Sequence, residues 1–336
     1  MARLTPEQIT AITMQALQRN GVPEKQAKMI ADATLAAELR GVTSHGLQML
    51  PVYIERLHGG GLCANAQPES RQVSEGMYVV DGHGGFGQVA AQAATDIILE
   101  QLAQNRMAMV TVLNTNHCGM LAYYTRQIAR RYAIGFMAAN TNPNVPAFGG
   151  AEKVLGTNPF SVAIPLREDC ILVDMATTAI AKGKIYEYEK CGRQLPPGCA
   201  LNKQGEPTCD PKEAIDGLLL PFAGHKGYAI SLAVELLAGL ISGGGYSKHT
   251  YSLHAAADKQ QNLGVFLHGI PLKPLMEHGL YEQKMEDFVS ILKESKKAAG
   301  NNEIFLPGEI EQEMEKAKTA EGVEVRDALL SEIQKL

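Results

Sequence analysis

Residues 77–88 read Met-Tyr-Val-Val-Asp-Gly-His-Gly-Gly-Phe-Gly-Gln. Met77–Asp81 is a short β-like run, and Gly82, Gly84 and Gly87 spell G-x-G-x-x-G. An Ala-rich helical stretch follows from Gln88 to Gln104. Strand, glycine turn and helix in that order match the start of a Rossmann dinucleotide fold. The next strand argues against that fold. Met107–Leu113 (MAMVTVL) should end in an acidic residue that holds a ribose, and Asn114 stands there. The triplet also lies behind a long helical region. These glycines are therefore read as backbone geometry, supplying conformations that side chains disfavour.

Working towards the N-terminus, residues 5–20 predict a helix. Thr5 is a capping residue, Pro6 suits the first helical position and Gln8 completes a capping box. Ile9, Ile12, Ala16 and Leu17 share one face, and Gly21 ends the helix. Glu24 to Leu39 forms a second helix and Gly46 to Leu57 a shorter third. Residues 1–72 thus read as an N-terminal helical domain.

Towards the C-terminus, helices and strands alternate. Met120 to Arg131 is helical and Ile134–Ala139 β-like. Phe160–Pro165 and Cys170–Asp174 are adjacent runs that suggest a hairpin. A helix at Tyr228–Ile241, a strand at Leu263–Ile270, a helix at Glu282–Lys297 and a helical tail complete the chain. The pattern indicates an α/β fold with a mixed sheet and some parallel pairing, spanning 73–300. The tail, 301–336, is expected to pack back on the N-terminal domain. Residues 189–211, rich in Gly and Pro, read as an irregular surface excursion.

The 336 residues are 45% hydrophobic and 20% charged, which excludes fibrous and disordered classes. A net charge of −5 argues against nucleic-acid or membrane partners. The most apolar window, Tyr228 to Leu240, is interrupted by Glu235 and too short to span a bilayer. The start, MARLTPEQIT, has no apolar signal segment, so a cytoplasmic location is expected. Six cysteines form no C-x-x-C pair, so reduced thiols and no metal site are expected.

Four segments carry candidate chemistry. Ser44-His45-Gly46 joins the second and third helices, and a histidine there can exchange a proton near neutral pH. Asn114-Thr115-Asn116-His117-Cys118-Gly119 follows a strand, where α/β folds collect their functional groups. Asn140–Asn144 and Gly156–Pro159 belong to a polar loop system, and Asp174–Thr178 closes the next strand. Gly224-His225-Lys226-Gly227 opens a helix and suits phosphate. Taken singly, each also fits a turn or a capped helix, and redox chemistry is not separated from hydrolysis by Cys118.

Together these segments resemble the malate/L-lactate dehydrogenase family of NAD(P)-dependent oxidoreductases, which is unrelated in fold to classical lactate dehydrogenase. The matching stretches are RGVTSHG (40–46), YIERLHGG (53–60), DGHGGFGQ (81–88), NHCG (116–119), AFGGAEKVLGTNPFSVAIP (147–165), VDMATT (173–178), GHKGYAIS (224–231), QNLG (261–264) and LPGE (306–309). The resemblance implies a non-Rossmann nucleotide-binding domain, a homodimer, and NAD or NADP as cofactor. It implies hydride transfer between nicotinamide and a malate-, lactate- or ureidoglycolate-like 2-hydroxy acid, with cyclic imine reduction or a non-catalytic regulator as alternatives. By the same resemblance His45 and His117 form a catalytic pair, and topology favours His117 as the acid/base. Ser44 and Tyr53 would line the substrate pocket. Thr141, Asp174, Met175, Ala176 and Lys226 would contact the cofactor, with Gly308 and Glu309 near it. One position departs from the family. The arginine expected three residues after Gly46 is Met49. A thioether cannot replace a bidentate guanidinium, so either Arg40 or Arg56 grips a substrate carboxylate or the substrate differs at that end.

Overall fold

The computed structural model describes residues 1–336. A short strand, β1 (Ala2–Leu4), leads into α1 (Pro6–Arg19) and α2 (Glu24–Leu39). The capping box is formed: Gln8 N donates to Thr5 Oγ1 at 3.3 Å and Thr5 N to Gln8 Oε1 at 2.8 Å. The third expected helix is divided. Thr43–His45 and Leu47–Met49 are single 3-10 turns, and α3 (Leu50–Gly59) begins only after them. Glu38 causes the break. Its Oε1 accepts from Leu47 N at 2.7 Å and fills the space where a Cβ on residue 46 would stand.

Next come β2 (Glu69–Ser74), β3 (Met77–Asp81), α4 (Gly87–Leu102), β4 (Ala108–Thr115), α5 (Ala122–Ala129) and β5 (Ala133–Ala139). The hairpin of β6 (Phe160–Leu166) and β7 (Asp169–Met175) follows as expected. Around the expected excursion of 189–211 stand α6 (Lys182–Lys190), β8 (Ala200–Leu201), β9 (Pro207–Thr208), α7 (Pro211–Asp216) and β10 (Leu218–Leu219), of which β8 and β9 lie within it. It is less irregular than its sequence: three short strands pair, and Ile180, Ile185, Leu195 and Ala214 form a small core. Then α8 (His225–Val234) widens into a π-helical turn over Glu235–Ile241. β11 (Leu263–Pro271), α9 (His278–Glu294), α10 (Glu309–Glu321), β12 (Val323–Val325) and α11 (Asp327–Ile333) end the chain. No helix is long and apolar enough to cross a membrane.

The main sheet has seven strands in the order β2-β3-β4-β11-β5-β6-β7, and only β3–β4 is parallel. β11 inserts between β4 and β5 and runs against both, so those two strands point the same way. β7 shares their direction, two antiparallel steps beyond β5. The carboxyl ends of β3, β4, β5 and β7 therefore lie along one sheet edge, where the polar loops collect. Helices α4 and α5 cover one face, with Val110, Val112, Met137 and Leu267 in that core. The π-helical turn covers the other, above Phe136, Phe160 and Phe266. Gly264 permits this approach, because a Cβ there would meet Ala238 O at 1.9 Å.

The two ends of the chain meet. β1 pairs with β12, and Val323, Val325 and Ile333 enter the core of α1–α3. Arg126 on α5 joins Asp169 at 2.6 Å and Glu315 of α10 at 2.8 Å, while Arg40 adds a second bond to Glu315 at 3.0 Å.

The glycine turn serves the neighbouring strand rather than a phosphate. Gly82 N donates to Leu113 O at 2.9 Å and Gly84 N to Asn114 O at 2.7 Å. A Cβ on Gly87 would lie 2.1 Å from Asn116 O and 2.5 Å from His117 O. Backbone cannot yield as a side-chain tip does. Gly87→Ala should therefore destabilise the protein by about 1–3 kcal/mol, as overpacking does, measured by denaturant unfolding. A wild-type midpoint would show that the contact is loose.

Candidate active site

His45 and His117 reach one place from different structural origins. His45 ends the 3-10 turn after α2, and His117 leaves β4 through Asn114, which turns the chain at φ +50°. Their rings stack with centroids 5.2 Å apart and planes 27° from parallel. Each Nδ1 has a hydroxyl partner: Ser44 Oγ at 2.9 Å from His45, and Tyr53 Oη at 2.8 Å from His117. Gln88 Nε2 lies 2.8 Å from the Tyr53 hydroxyl on its other side. Neither Nε2 has a protein partner, so both are available to a ligand. The main chain at His117 is held as well, its N–H donating to Gln261 Oε1 at 2.9 Å.

The surroundings keep both imidazoles neutral. Burial lowers His45 to about 4. Burial, then the neighbouring His45 and then His254, lower His117 to about 3. Burial raises Tyr53 well above the usual phenol range, so its proton stays on the oxygen. Cys118 is buried and its thiol is pushed up to about 12, which removes it as a nucleophile.

The structure thus brings together four of the expected site residues: His45, His117, Ser44 and Tyr53. Arg40 and Arg56, read as possible carboxylate ligands, are committed elsewhere. Arg40 is buried and bonds Glu315 and Gly308 O. Arg56, 1% exposed, donates to the carbonyls of Gly61, Ser252, Leu253, Ala256 and Lys259. Met49 does not project as a clamp either, since it packs in the helical core. Gln88 and Gln261 were not foreseen. Both lie inside matched stretches, DGHGGFGQ (81–88) and QNLG (261–264), but an amide in a sequence carries no sign of its partner.

The cofactor candidates lie along the loop-bearing sheet edge. Thr141 follows β5, and its Oγ1 accepts from Thr157 N at 2.8 Å. Met175 and Ala176 end and follow β7. Asp174 keeps a solvent-facing side, and its Oδ2 accepts from Ala122 N at 2.9 Å. Crowding by protein raises its carboxyl to about 7, against the pull of that hydrogen bond. At α8, Ala223 (φ +48°) and Gly224 (φ +60°) are consecutive left-handed residues that turn the chain into the helix. Lys226 is exposed in the first turn. A strained entry, a free helix N-terminus and a nearby cation suit an anionic group. Gly308 and Glu309 instead start α10: Gly308 packs on Leu172, and Glu309 accepts from Leu306 N and bonds Lys293.

Comparison with known proteins identifies the family. The family model for malate/L-lactate dehydrogenase matches residues 4–334. The L-sulfolactate dehydrogenase of Methanothermobacter thermautotrophicus is 33% identical over 331 residues, 98% of this chain and 95% of that one. The ureidoglycolate dehydrogenase (NAD(+)) of Escherichia coli K12 is 31% identical over 330 residues, 97% of this chain and 93% of its own. The solved sulfolactate dehydrogenase of Methanocaldococcus jannaschii superposes with a TM-score of 0.92 at 33% identity, covering 99% and 96% of the two chains. Dehydrogenases of this kind act on hydroxy acids with a nicotinamide cofactor. This chain belongs to the malate/L-lactate dehydrogenase family.

Proposed function

We propose that the protein reversibly oxidises a 2-hydroxy acid to the 2-oxo acid with NAD or NADP, and that His117 takes up and returns the hydroxyl proton. The observation that carries this reading is the stacked His45–His117 pair, each ring bonded to a hydroxyl through Nδ1 with no protein partner on Nε2. When bound, the nicotinamide supplies hydride exchange. Thr141, Asp174, Met175, Ala176 and Lys226 are the residues we assign to holding the dinucleotide, because the exposed Lys226 ammonium, the exposed Asp174 carboxyl and a helix N-terminus stand there. Among the chain's own groups, neutral His117 accepts the proton from the substrate hydroxyl on oxidation and returns it on reduction. His45 holds the same oxygen. We assign the proton to His117 because its Nδ1 ends a buried hydrogen-bonded chain, whereas His45 Nδ1 meets only the exposed Ser44. Neither Arg40 nor Arg56 is assigned the substrate carboxylate.

We also propose a homodimer. Ile230, Leu236, Leu240 and Ile241 on α8 and its π-helical continuation are all exposed. A monomer rarely leaves such a stripe uncovered. The double variant Leu240→Asp/Ile241→Asp should elute at half the mass of the wild type in light-scattering chromatography. A monomeric wild type would refute the dimer.

His117→Ala should lower turnover in oxidation by about 100-fold or more, the usual loss of a general base. His45→Ala should lower it less and raise KM. Nicotinamide absorbance read across a panel of 2-hydroxy acids, with both cofactors, checks this. Near-wild-type turnover in both variants would refute the mechanism, and turnover of cyclic imines alone would move the substrate to C=N.

The pH dependence follows from the lowered histidines. In reduction the proton donor is the imidazolium, which the free enzyme forms only as pH falls through the lowered pKa. kcat/KM for reduction should therefore rise about tenfold per unit as pH is lowered from 7. In oxidation the base is the neutral ring, so kcat/KM should show no acidic limb near 6.5. A plateau in reduction below 6.5 would show that His117 titrates as in water.

A further inference from the structure

We propose that Gln88 is a positioning residue that decides which ring nitrogen of His117 carries the proton. This rests on the reading of His117 as the proton acceptor. Gln88 lies in the first turn of α4 and is 3% exposed. Its amide reaches the Tyr53 hydroxyl at 2.8 Å, and that hydroxyl reaches His117 Nδ1 at 2.8 Å. Tyr53 is itself 3% exposed, so no bulk water enters this row.

The hydroxyl has one proton and can donate it one way. Donated to Nδ1, it forces the proton of neutral His117 onto Nε2, and Nε2 then accepts nothing. Donated to the Gln88 carbonyl, it leaves the Tyr53 oxygen to accept from Nδ1–H, and Nε2 presents its lone pair. Only the second arrangement can take up a substrate proton. In that step the substrate O–H breaks, Nε2–H forms, and the imidazolium keeps Nδ1–H on Tyr53. The acceptor this requires is present and unused. With its nitrogen turned to Tyr53, the Gln88 Oε1 is buried and has no partner. Rotating the amide by half a turn brings that oxygen onto the Tyr53 O–H, a change of assignment that crystallographic amides often need. Gln88 thus sets the base form without touching the substrate.

The experiment is nitrogen NMR of the full-length protein carrying 15N-histidine at neutral pH, with His117 assigned by loss of its signals in His117→Gln. The wild type should show Nδ1–H with a bare Nε2. Gln88→Met should move His117 to the Nε2–H form, lower kcat for oxidation about tenfold and leave KM within about twofold. Gln88→Glu, an acceptor only, should restore the Nδ1–H form. A wild-type Nε2–H tautomer, or an unchanged tautomer in Gln88→Met, would overturn the proposal. The wild-type spectrum decides even if a variant does not fold. The spectra also separate the two ideas, since activity retained by His117→Ala defeats the proposed mechanism and leaves the tautomer result standing.

Discussion

The side-chain amide of Asn116, 4% exposed, sits where four separate segments meet. Its Nδ2 donates to Gly84 O and Gly85 O, each at 2.9 Å. Its Oδ1 accepts from Gln261 N at 3.0 Å and from Arg56 at 3.4 Å. The glycine turn, the helical domain and the loop before β11 are thereby pinned to the residue preceding His117. A buried amide left unpaired costs about 1–3 kcal/mol per group, so these bonds are made together or not at all. The His117 ring inherits its place from that knot. The glycines of 82–87 let this loop approach, since a Cβ on Gly87 would meet Asn116 O and His117 O.

A second constraint is electrostatic. Two imidazoles in stacking contact cannot both be charged in a crowded recess without large mutual repulsion, so the fold favours the neutral pair. The sign of the consequence is fixed. Both pKa values are lowered, so the stability these rings contribute is present above about 6.5 and lost as pH falls towards the lowered values. On the proposed mechanism, the same lowering would ready a base for oxidation and withhold the acid for reduction. An anion bound beside the stacked rings would raise their pKa again, tying proton uptake to occupancy.

Much of the architecture was legible because local pattern and tertiary role agree. Glu24–Leu39, Met77–Asp81 and the Phe160–Met175 hairpin are amphipathic or apolar runs bounded by turn residues. β2 was not legible. Its sequence, ESRQVS, is polar and exposed throughout, because it is an edge strand held by backbone pairing alone. β1 and β12 escaped for another reason: three residues at each end of the chain pair only once the ends are near. The insertion of β11 between β4 and β5 is equally non-local, and it leaves β3–β4 as the one parallel pair of the expected mixed sheet. At the site, the two histidines were legible from motif and topology, while Gln88 and Gln261 were not, since an amide acts through whatever the fold sets beside it.

Charge was the least readable feature, and Arg56 shows why. A guanidinium eleven residues after His45, in the helix that follows it, reads in sequence as a substrate ligand. In the fold its donors go to five backbone carbonyls, four of them in 252–259, where loops seldom find internal partners. That loop leads directly to Gln261, whose amide oxygen receives His117 N–H. Arg56 thus orders the stretch of backbone that leads to the residue holding His117 N–H. Met49 fits the same logic: the position where the family resemblance led to an expected arginine is here part of the core on which α3 rests. With Arg40 bonded to Glu315 and Gly308 O and Arg56 spent on backbone carbonyls, neither of the two candidate guanidiniums keeps its fork open to a carboxylate.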